Sequence, residues 1–214
     1  PIANIKMFTG ILRGHDLPPE KRAEFLATMD GQIDKLDFLM QSLIKMSRLE
    51  TGTFTLHMEE TRLSDTIAQA MSTVWAKAEA KGIDLSAECD GAITVQHDPK
   101  WTAEAIGNIL DNAVKYTPPG STVQVSLSRE GDQVVLTVED NGAGIPEEDL
   151  PRIFERFYRV DKARSRAAGG TGLGLAIVRD TVEKRGGTVE AANRPGGGAV
   201  FTVRWPWREG GGQT

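Results

Sequence analysis

Apolar residues in the first fifty positions recur at helical intervals. Ile2, Ile5, Phe8 and Leu12 lie three or four apart, which puts them on one face of an α-helix. Gly14-His15-Asp16-Leu17-Pro18-Pro19 breaks the pattern with turn formers. A second helix is predicted from Glu20 to Glu50. Its apolar set Phe25, Met29, Ile33, Leu36, Met40 and Leu43 steps by four and three, a seam like that of a coiled coil. At 1.5 Å per residue this helix runs roughly 45 Å, longer than a compact core covers. A two-helix hairpin cannot bury such a stripe alone. Pairing two hairpins into a four-helix bundle is the simplest remedy, and packing on the rest of the same chain is the alternative.

Beyond Thr51-Gly52-Thr53 the period changes. Thr53–Met58 reads as a strand, Leu63–Lys81 as a helix with Ser64 near its start, and Ile83–Glu88 and Ile93–His97 as strands. Asp98-Pro99 predicts the cap and first turn of a helix reaching Tyr116, since proline is pre-set for the first helical position. Thr122–Arg129 and Gln133–Glu139 alternate strongly, and Glu130-Gly131-Asp132 between them signals a tight hairpin. Residues 146–170 are irregular apart from an apolar cluster at Ile153–Tyr158. Thr171–Arg185 then reads as a helix, and Thr188–Asn193 with Ala199–Trp205 as a closing hairpin. The order predicts an α+β chain with three parts. Residues 1–52 form the hairpin, 53–208 an α/β sandwich with a mixed sheet and three main helices, and 209–214 a disordered tail.

Composition acts mainly by exclusion. Hydrophobic residues make up 39% and charged residues 26% of the 214, as in ordinary globular domains. The formal net charge of −5 supplies no global basic field and argues against nucleic acid as a partner. Cys89 is the only cysteine, which excludes a disulfide framework and a cysteine-rich metal site and fits a reducing compartment. No apolar run approaches the ~20 residues needed to cross a bilayer. The chain begins at Pro1 without a methionine, as a soluble piece of a longer parent would.

Four stretches carry candidate chemistry. In Asn108-Ile109-Leu110-Asp111-Asn112-Ala113-Val114-Lys115-Tyr116, the residues Asn108, Asn112 and Lys115 share one side of a helix. An amide oxygen is a hard neutral ligand suited to Mg²⁺, and a lysine one turn on supplies positive charge for phosphates. An exposed polar helix face is the ordinary alternative. Asp140-Asn141-Gly142-Ala143-Gly144-Ile145-Pro146 follows an apolar strand. A carboxylate there can accept from an exocyclic amino group such as adenine's, and bare glycines let a flat base approach the backbone; a plain turn would look the same. Gly169-Gly170-Thr171-Gly172-Leu173-Gly174-Leu175 leads into a helix, where free N–H groups favour an anion. It lacks the spacing of a P-loop or of the dinucleotide fingerprint, and a flexible hinge is compatible with it. Between these lie Ile153-Phe154-Glu155-Arg156-Phe157-Tyr158-Arg159 and a basic run to Arg166. They read either as a lid over a polyanion, pinned at Phe154 and Phe157, or as a solvated charged loop.

In this order the four stretches resemble the N, G1, F and G2 boxes of the histidine-kinase ATPase domain, the Bergerat fold, over roughly Leu56 to Trp207. The resemblance implies that the cofactors are ATP and Mg²⁺, with Asn112 holding the metal and Asp140 reading the adenine amino group. It implies nucleotide or phosphate contacts from Asn108, Lys115, Tyr116, Tyr158 and Arg159. Gly142, Gly144 and Ile145 would lie beside the base, and Gly170, Thr171, Gly172, Leu173 and Gly174 on the phosphate side. The stretch 196–201 resembles the family's closing strand motif.

The first fifty residues resemble the family's dimerisation and histidine-phosphotransfer hairpin. Met46-Ser47-Arg48-Leu49-Glu50-Thr51-Gly52 matches the usual end of its second helix, and Pro1-Ile2-Ala3-Asn4-Ile5-Lys6 the residues just after the acceptor motif. The acceptor histidine is therefore expected upstream of Pro1. His15, His57 and His97 lack the motif's flanking residues. By the same resemblance the chain is the core of a bacterial sensor histidine kinase, a homodimer through its hairpin. Its partner is the receiver domain of a response regulator, and its place is the cytoplasmic portion of a membrane-anchored parent. The alternative is an ATP-binding dimerisation or sensing module without phosphotransfer. Other users of this ATP fold, such as topoisomerases, chaperones and mismatch-repair ATPases, lack the preceding hairpin and the Phe154–Arg159 stretch.

Overall fold

The computed structural model describes the backbone of residues 1–50, 57–160 and 171–207, and the side chains of all these except 38, 42, 45, 46 and 48–50. The tail and Gly170 lie outside the described residues. Two compact units divide the chain, residues 1–53 and 54–214.

The first unit holds α1 (Ile2–Gly14) and α2 (Pro19–Glu50). Phe8 and Phe25 meet between them with ring centroids 5.1 Å apart. Ile5, Leu12, Met29 and Leu36 are half-buried, but Ile33, Met40 and Leu43 of the predicted seam stay exposed, as do Leu26 and Ile44. Length explains the split. The 32 residues of α2 span about 48 Å, and the 13 residues of α1 about 20 Å, so α1 flanks less than half of its partner.

The second unit begins with β1 (Glu59–Arg62), α3 (Leu63–Ala80), β2 (Asp84–Cys89), β3 (Thr94–His97) and α4 (Pro99–Tyr116). It continues with β4 (Thr122–Glu130), β5 (Gln133–Asp140), a 3₁₀ turn (Leu150–Arg152), α5 (Gly174–Glu183), β6 (Thr188–Asn193) and β7 (Ala199–Pro206). The main sheet has the order β2-β4-β5-β7-β6, parallel between β2 and β4 and antiparallel elsewhere. It is mixed, as the order of elements predicts. β1 and β3 form a separate antiparallel pair.

One expectation needs correction, and another falls mostly outside the described residues. The strand expected over Thr53–Met58 is of the second kind: residues 53–56 lie outside the described set, His57 and Met58 are in no strand, and β1 starts at Glu59. β1 is all-polar and pairs with β3, Glu59 opposite His97 and Arg62 opposite Thr94. The α5 helix is shorter than Thr171–Arg185, because positive φ at Gly172 and the turn at Gly186 bound it. α3 starts at Leu63 with Ser64 near its start, as expected, and its N-cap Arg62 makes no side-chain cap bond.

Each helix buries one stripe against one face of the sheet. α3 contributes Leu63, Ile67, Ala70, Val74 and Ala78, and α4, lying between α3 and α5, contributes Ile106, Ile109, Leu110 and Ala113. Opposite them stand the alternate residues Val123, Val125 and Leu127 of β4, Leu136 and Val138 of β5, and Phe201, Val203 and Trp205 of β7. Asp98 starts α4 as predicted: Oδ1 accepts from Trp101 N at 3.1 Å, and Oδ2 from His57 N at 2.9 Å. No helix among the described residues is long and apolar enough to cross a membrane.

His97, at the end of β3, is fully buried. Nε2 lies 2.8 Å from Thr66 Oγ1, and Nδ1 3.0 Å from the Val95 carbonyl. Burial, reinforced by the nearby Arg185 charge, holds its pKa below the ordinary 6.5, against the Val95 bond and the charges of Asp98 and Glu59. The unfolded chain therefore takes up a proton near pH 6.5 that the folded chain refuses until lower pH. Stability is expected to fall as pH drops through that window, by up to about 1.4 kcal/mol per unit. Urea midpoints at pH 7.5 and 5.5 check this: the drop should shrink in His97→Gln, and an equal drop in both proteins would clear His97 of the effect.

Candidate functional site

The four motif stretches converge at one end of the helical layer. α4 carries Asn108, Asn112, Lys115 and Tyr116 along its second half. Val114 and Ala113 on its other side are buried, so the polar positions are left partly open: Asn108, Asn112 and Lys115 are half-buried and Tyr116 is exposed. Asn108 meets the start of α5, where a Cβ on Gly174 would lie 3.3 Å from its Oδ1. Tyr116 meets the loop after β5, where a Cβ on Gly142 would lie 2.9 Å from the Tyr116 carbonyl. Glycine at both positions is what lets the loops close on α4.

Asp140 ends β5 and is 5% exposed. Its Oδ1 accepts from Gly142 N at 2.8 Å and from Ala199 N at 3.2 Å. Both bonds therefore fall on one oxygen, and Oδ2 is the carboxylate's remaining acceptor. Gly144 takes φ +74°, and a Cβ there would lie 2.8 Å from Asn193 Oδ1. Asn193 fastens Ile145 by both backbone groups, accepting from its N–H at 2.7 Å and donating to its carbonyl at 2.6 Å. Arg194 donates to the Asp140 carbonyl at 3.1 Å and to Asn141 Oδ1 at 2.5 Å, and pairs with Glu139 at 3.0 Å. Gly198, at φ +92°, packs its α-carbon directly on the Asp140 carbonyl.

Phe154 is buried, edge-on to Phe201 at 6.4 Å between centroids. Phe157 is instead exposed and takes φ +63°, the only non-glycine residue with positive φ among those described. Its N–H donates to the Gly172 carbonyl at 2.8 Å. A Cβ on Gly172 would stand 2.7 Å from the Phe157 carbonyl carbon and 2.8 Å from the Tyr158 oxygen. The two ends of the intervening basic stretch are thus joined at their base. Phe154 is thus anchored through its ring, and Phe157 through its backbone alone.

Tyr158 donates to Asp149, and the Arg152 guanidinium lies 4.3 Å from its ring centre. The bond to Asp149 raises the pKa of the Tyr158 hydroxyl. Arg159 follows with Nε and Nη2 buried and, like Asn108 Nδ2, without a partner among the described residues. Buried donors are costly when unpaired, so these three are open to an acceptor; Thr117 Oγ1, Thr181 Oγ1 and Arg185 Nη1 are likewise buried without a partner among the described residues. Thr171 Oγ1 accepts from Leu173 N at 3.4 Å, and Leu173 is fully buried beneath the start of α5.

Sequence reasoning assigned no site role to Asn193, Arg194 or Gly198. Their partners lie about fifty residues away in the chain, beyond any local pattern. The glycine run at 196–198 was visible, but only within the stretch that resembles the family's closing strand motif. No group of three or more His, Cys, Asp or Glu side chains able to hold a metal occurs among the described residues. A cation at Asn112 would thus draw most of its ligands from water and phosphate oxygens, which suits Mg²⁺. Of the histidines, His97 is buried, His15 is the C-cap of α1, and His57 binds Asp98 through its backbone.

Residues 97–209 match the model of the histidine kinase-, DNA gyrase B- and HSP90-like ATPases. The chain is 32% identical over 206 residues to the sensor-like histidine kinase SenX3 of Mycolicibacterium smegmatis, covering 96% of this chain and 54% of that protein. It therefore spans about half the length of this curated relative. Among solved structures, full-length ShkA in complex with AMPPNP is 26% identical with a TM-score of 0.74, over 95% of this chain and 42% of that one. Histidine kinase ThkA in complex with the response regulator TrrA shares the fold, with a TM-score of 0.78 at 23% identity over 97% of this chain and 58% of that one.

Proposed function

Because the chain belongs to the histidine kinase-, DNA gyrase B- and HSP90-like ATPase family, on its two-component sensor histidine kinase branch, we propose that it binds Mg·ATP at the site around α4 and Asp140 and delivers the γ-phosphoryl to a histidine. That histidine is not one of the three in this sequence, and the phosphoryl then passes to an aspartate of a response-regulator receiver domain. ThkA, bound to a response regulator in its solved complex, supports that partner class. The exposed stripe of Ile33, Met40 and Leu43 supports a homodimer through the hairpin, since a second copy would cover apolar surface that α1 leaves open. The single observation that carries the nucleotide reading is the set of buried donors on Asn108 and Arg159, without a partner among the described residues, amid glycines drawn from three separate motifs.

In this reading Asp140 Oδ2 accepts from the adenine amino group, while Gly142, Gly144 and Ile145 flank the ring. Lys115 and Arg159 offset phosphate charge, with Tyr158 holding the segment that carries Arg159, and Asn108 donates to a phosphate oxygen. Thr171, Gly172, Leu173 and Gly174 present backbone at the start of α5, and Gly170 adjoins them outside the described residues. Tyr116 offers its exposed ring at the mouth. Asn112 supplies the protein's ligand to Mg²⁺, which when bound neutralises charge on the transferring phosphoryl. These residues position and neutralise, which is most of what phosphoryl transfer asks of a protein.

The test is calorimetric. Asn112→Ala should abolish the gain in nucleotide affinity that Mg²⁺ confers, a loss of about tenfold or more, while metal-free nucleotide binds as before. An unchanged Mg²⁺ response would refute the metal assignment. Labelled ATP incubated with a separate hairpin bearing the acceptor histidine should label that hairpin. A protein that binds ATP yet never passes on label would be the sensing module instead.

A further inference from the structure

We propose that Lys81 is a positioning residue for nucleotide binding: its ammonium group clamps the end of α4 and so sets the distance between that helix and the Asp140 loop. The inference rests on the nucleotide reading above and deepens it. Lys81 follows α3 and carries no assigned role. Its Nζ donates to three carbonyls at the end of α4, those of Val114 at 2.8 Å, Lys115 at 3.0 Å and Thr117 at 2.9 Å. Terminal carbonyls of a helix lack intrahelical donors and carry partial negative charge, so one cation can satisfy and neutralise several of them. An ammonium, with three N–H bonds in a compact tripod, matches three converging carbonyls.

The carbonyl that Lys81 leaves out is the informative one. Tyr116 O faces Gly142, so closely that a Cβ there would stand 2.9 Å away. Gly142 N in turn donates to Asp140 Oδ1 at 2.8 Å. The chain of contact therefore runs from Lys81 through the last turn of α4 to the carboxylate assigned to adenine. One turn earlier on α3, Lys77 pairs with Asp111 at 2.5 Å. That pair is exposed and screened, whereas the Lys81 bonds are partly buried and charge-assisted. Without the clamp the last turn is free to fray, carrying Lys115 and Tyr116 with it. Asn112 and Asn108, one and two turns further in, keep their places.

The experiment compares Lys81→Met, which keeps the stem and loses the charge, with Lys81→Arg, well below the melting temperature. Lys81→Met should bind ADP about tenfold more weakly, by the same factor with and without Mg²⁺, because the metal ligand is undisturbed. Lys81→Arg should recover most of the affinity. Amide exchange at Thr117, whose N–H bonds to Ala113 O, should accelerate in Lys81→Met even without nucleotide. A lowered melting temperature with unchanged ADP affinity would make Lys81 merely structural and overturn the proposal. So would unchanged exchange at residues 115–117. If the unaltered protein fails to bind ADP, the ATP reading falls instead, and the exchange measurement, which needs no nucleotide, tells the two failures apart.

Discussion

Replacing Asp140 with asparagine is expected to weaken ATP binding about a hundredfold, or about 3 kcal/mol, while free polyphosphate binds almost as before. The asymmetry follows from how the carboxylate is held. Oδ1 already accepts from Gly142 N and Ala199 N, and an asparagine oxygen can take over both bonds. Its amide nitrogen must then replace Oδ2, setting a donor against adenine's amino group where an acceptor stood. One hydrogen bond is lost and a donor is left buried and unpaired, the costliest way to lose a contact. The groups proposed for the phosphates, at Arg159, Lys115 and the start of α5, are untouched. Calorimetric titration with ATP and with tripolyphosphate separates the two ends. Equal losses for both ligands would mean that Asp140 supports the fold and does not read a base.

The second large effect is expected at Gly198. An alanine there would drive its methyl group into the Asp140 carbonyl and hold φ near +92°, a region closed to residues with a side chain. Neither strain can be relieved alone, because Gly198 O also accepts from Arg194 N at 3.0 Å. Arg194 in turn grips the Asp140 carbonyl. Gly198→Ala should cost about 3 kcal/mol or more, roughly 10 °C in melting temperature, and lose ATP affinity with it. Gly196 is the control. It has φ +94° in the same turn, but nothing lies within 4 Å of its added Cβ, so alanine there should cost about 1–2 kcal/mol of backbone strain alone. If the two variants melted together, contact with Asp140 would not be the cause.

Much of the fold was legible because local chemistry and tertiary structure agree. The Asp98-Pro99 start of α4, the β4–β5 hairpin around Gly131 and the alternation of Val123, Val125 and Leu127 each point one way. Thr171–Arg185 overran α5 at both ends, because the pattern does not show where Gly172 and Gly186 turn the backbone out of the helix. The hairpin seam was legible in period but not in partition. Which of its residues α1 covers depends on relative helix lengths, and the pattern of α2 alone does not encode them. For the candidate site, the motif residues were visible because glycine, amide and carboxylate chemistry is concentrated in short runs. The residues that brace them were not. Lys81, Asn193 and Arg194 act on backbone carbonyls and amides, which any sequence offers at every position.

The double hold on Asp140 has a consequence for how the domain matures. Its carboxylate is oriented by one amide two residues away and by another 59 residues away, across the completed pairing of β5 with β7. Around it stand Tyr116 of α4 and Gly198 of the β6–β7 turn, so its surroundings are complete only after the last strand has docked. A nascent or clipped chain that stops short of residue 199 would keep several of the recognisable motifs and still leave the cradle proposed for the purine incomplete. Ligand occupancy then reports completeness: nucleotide adds its binding free energy only to finished domains, shifting the balance away from half-assembled ones by mass action.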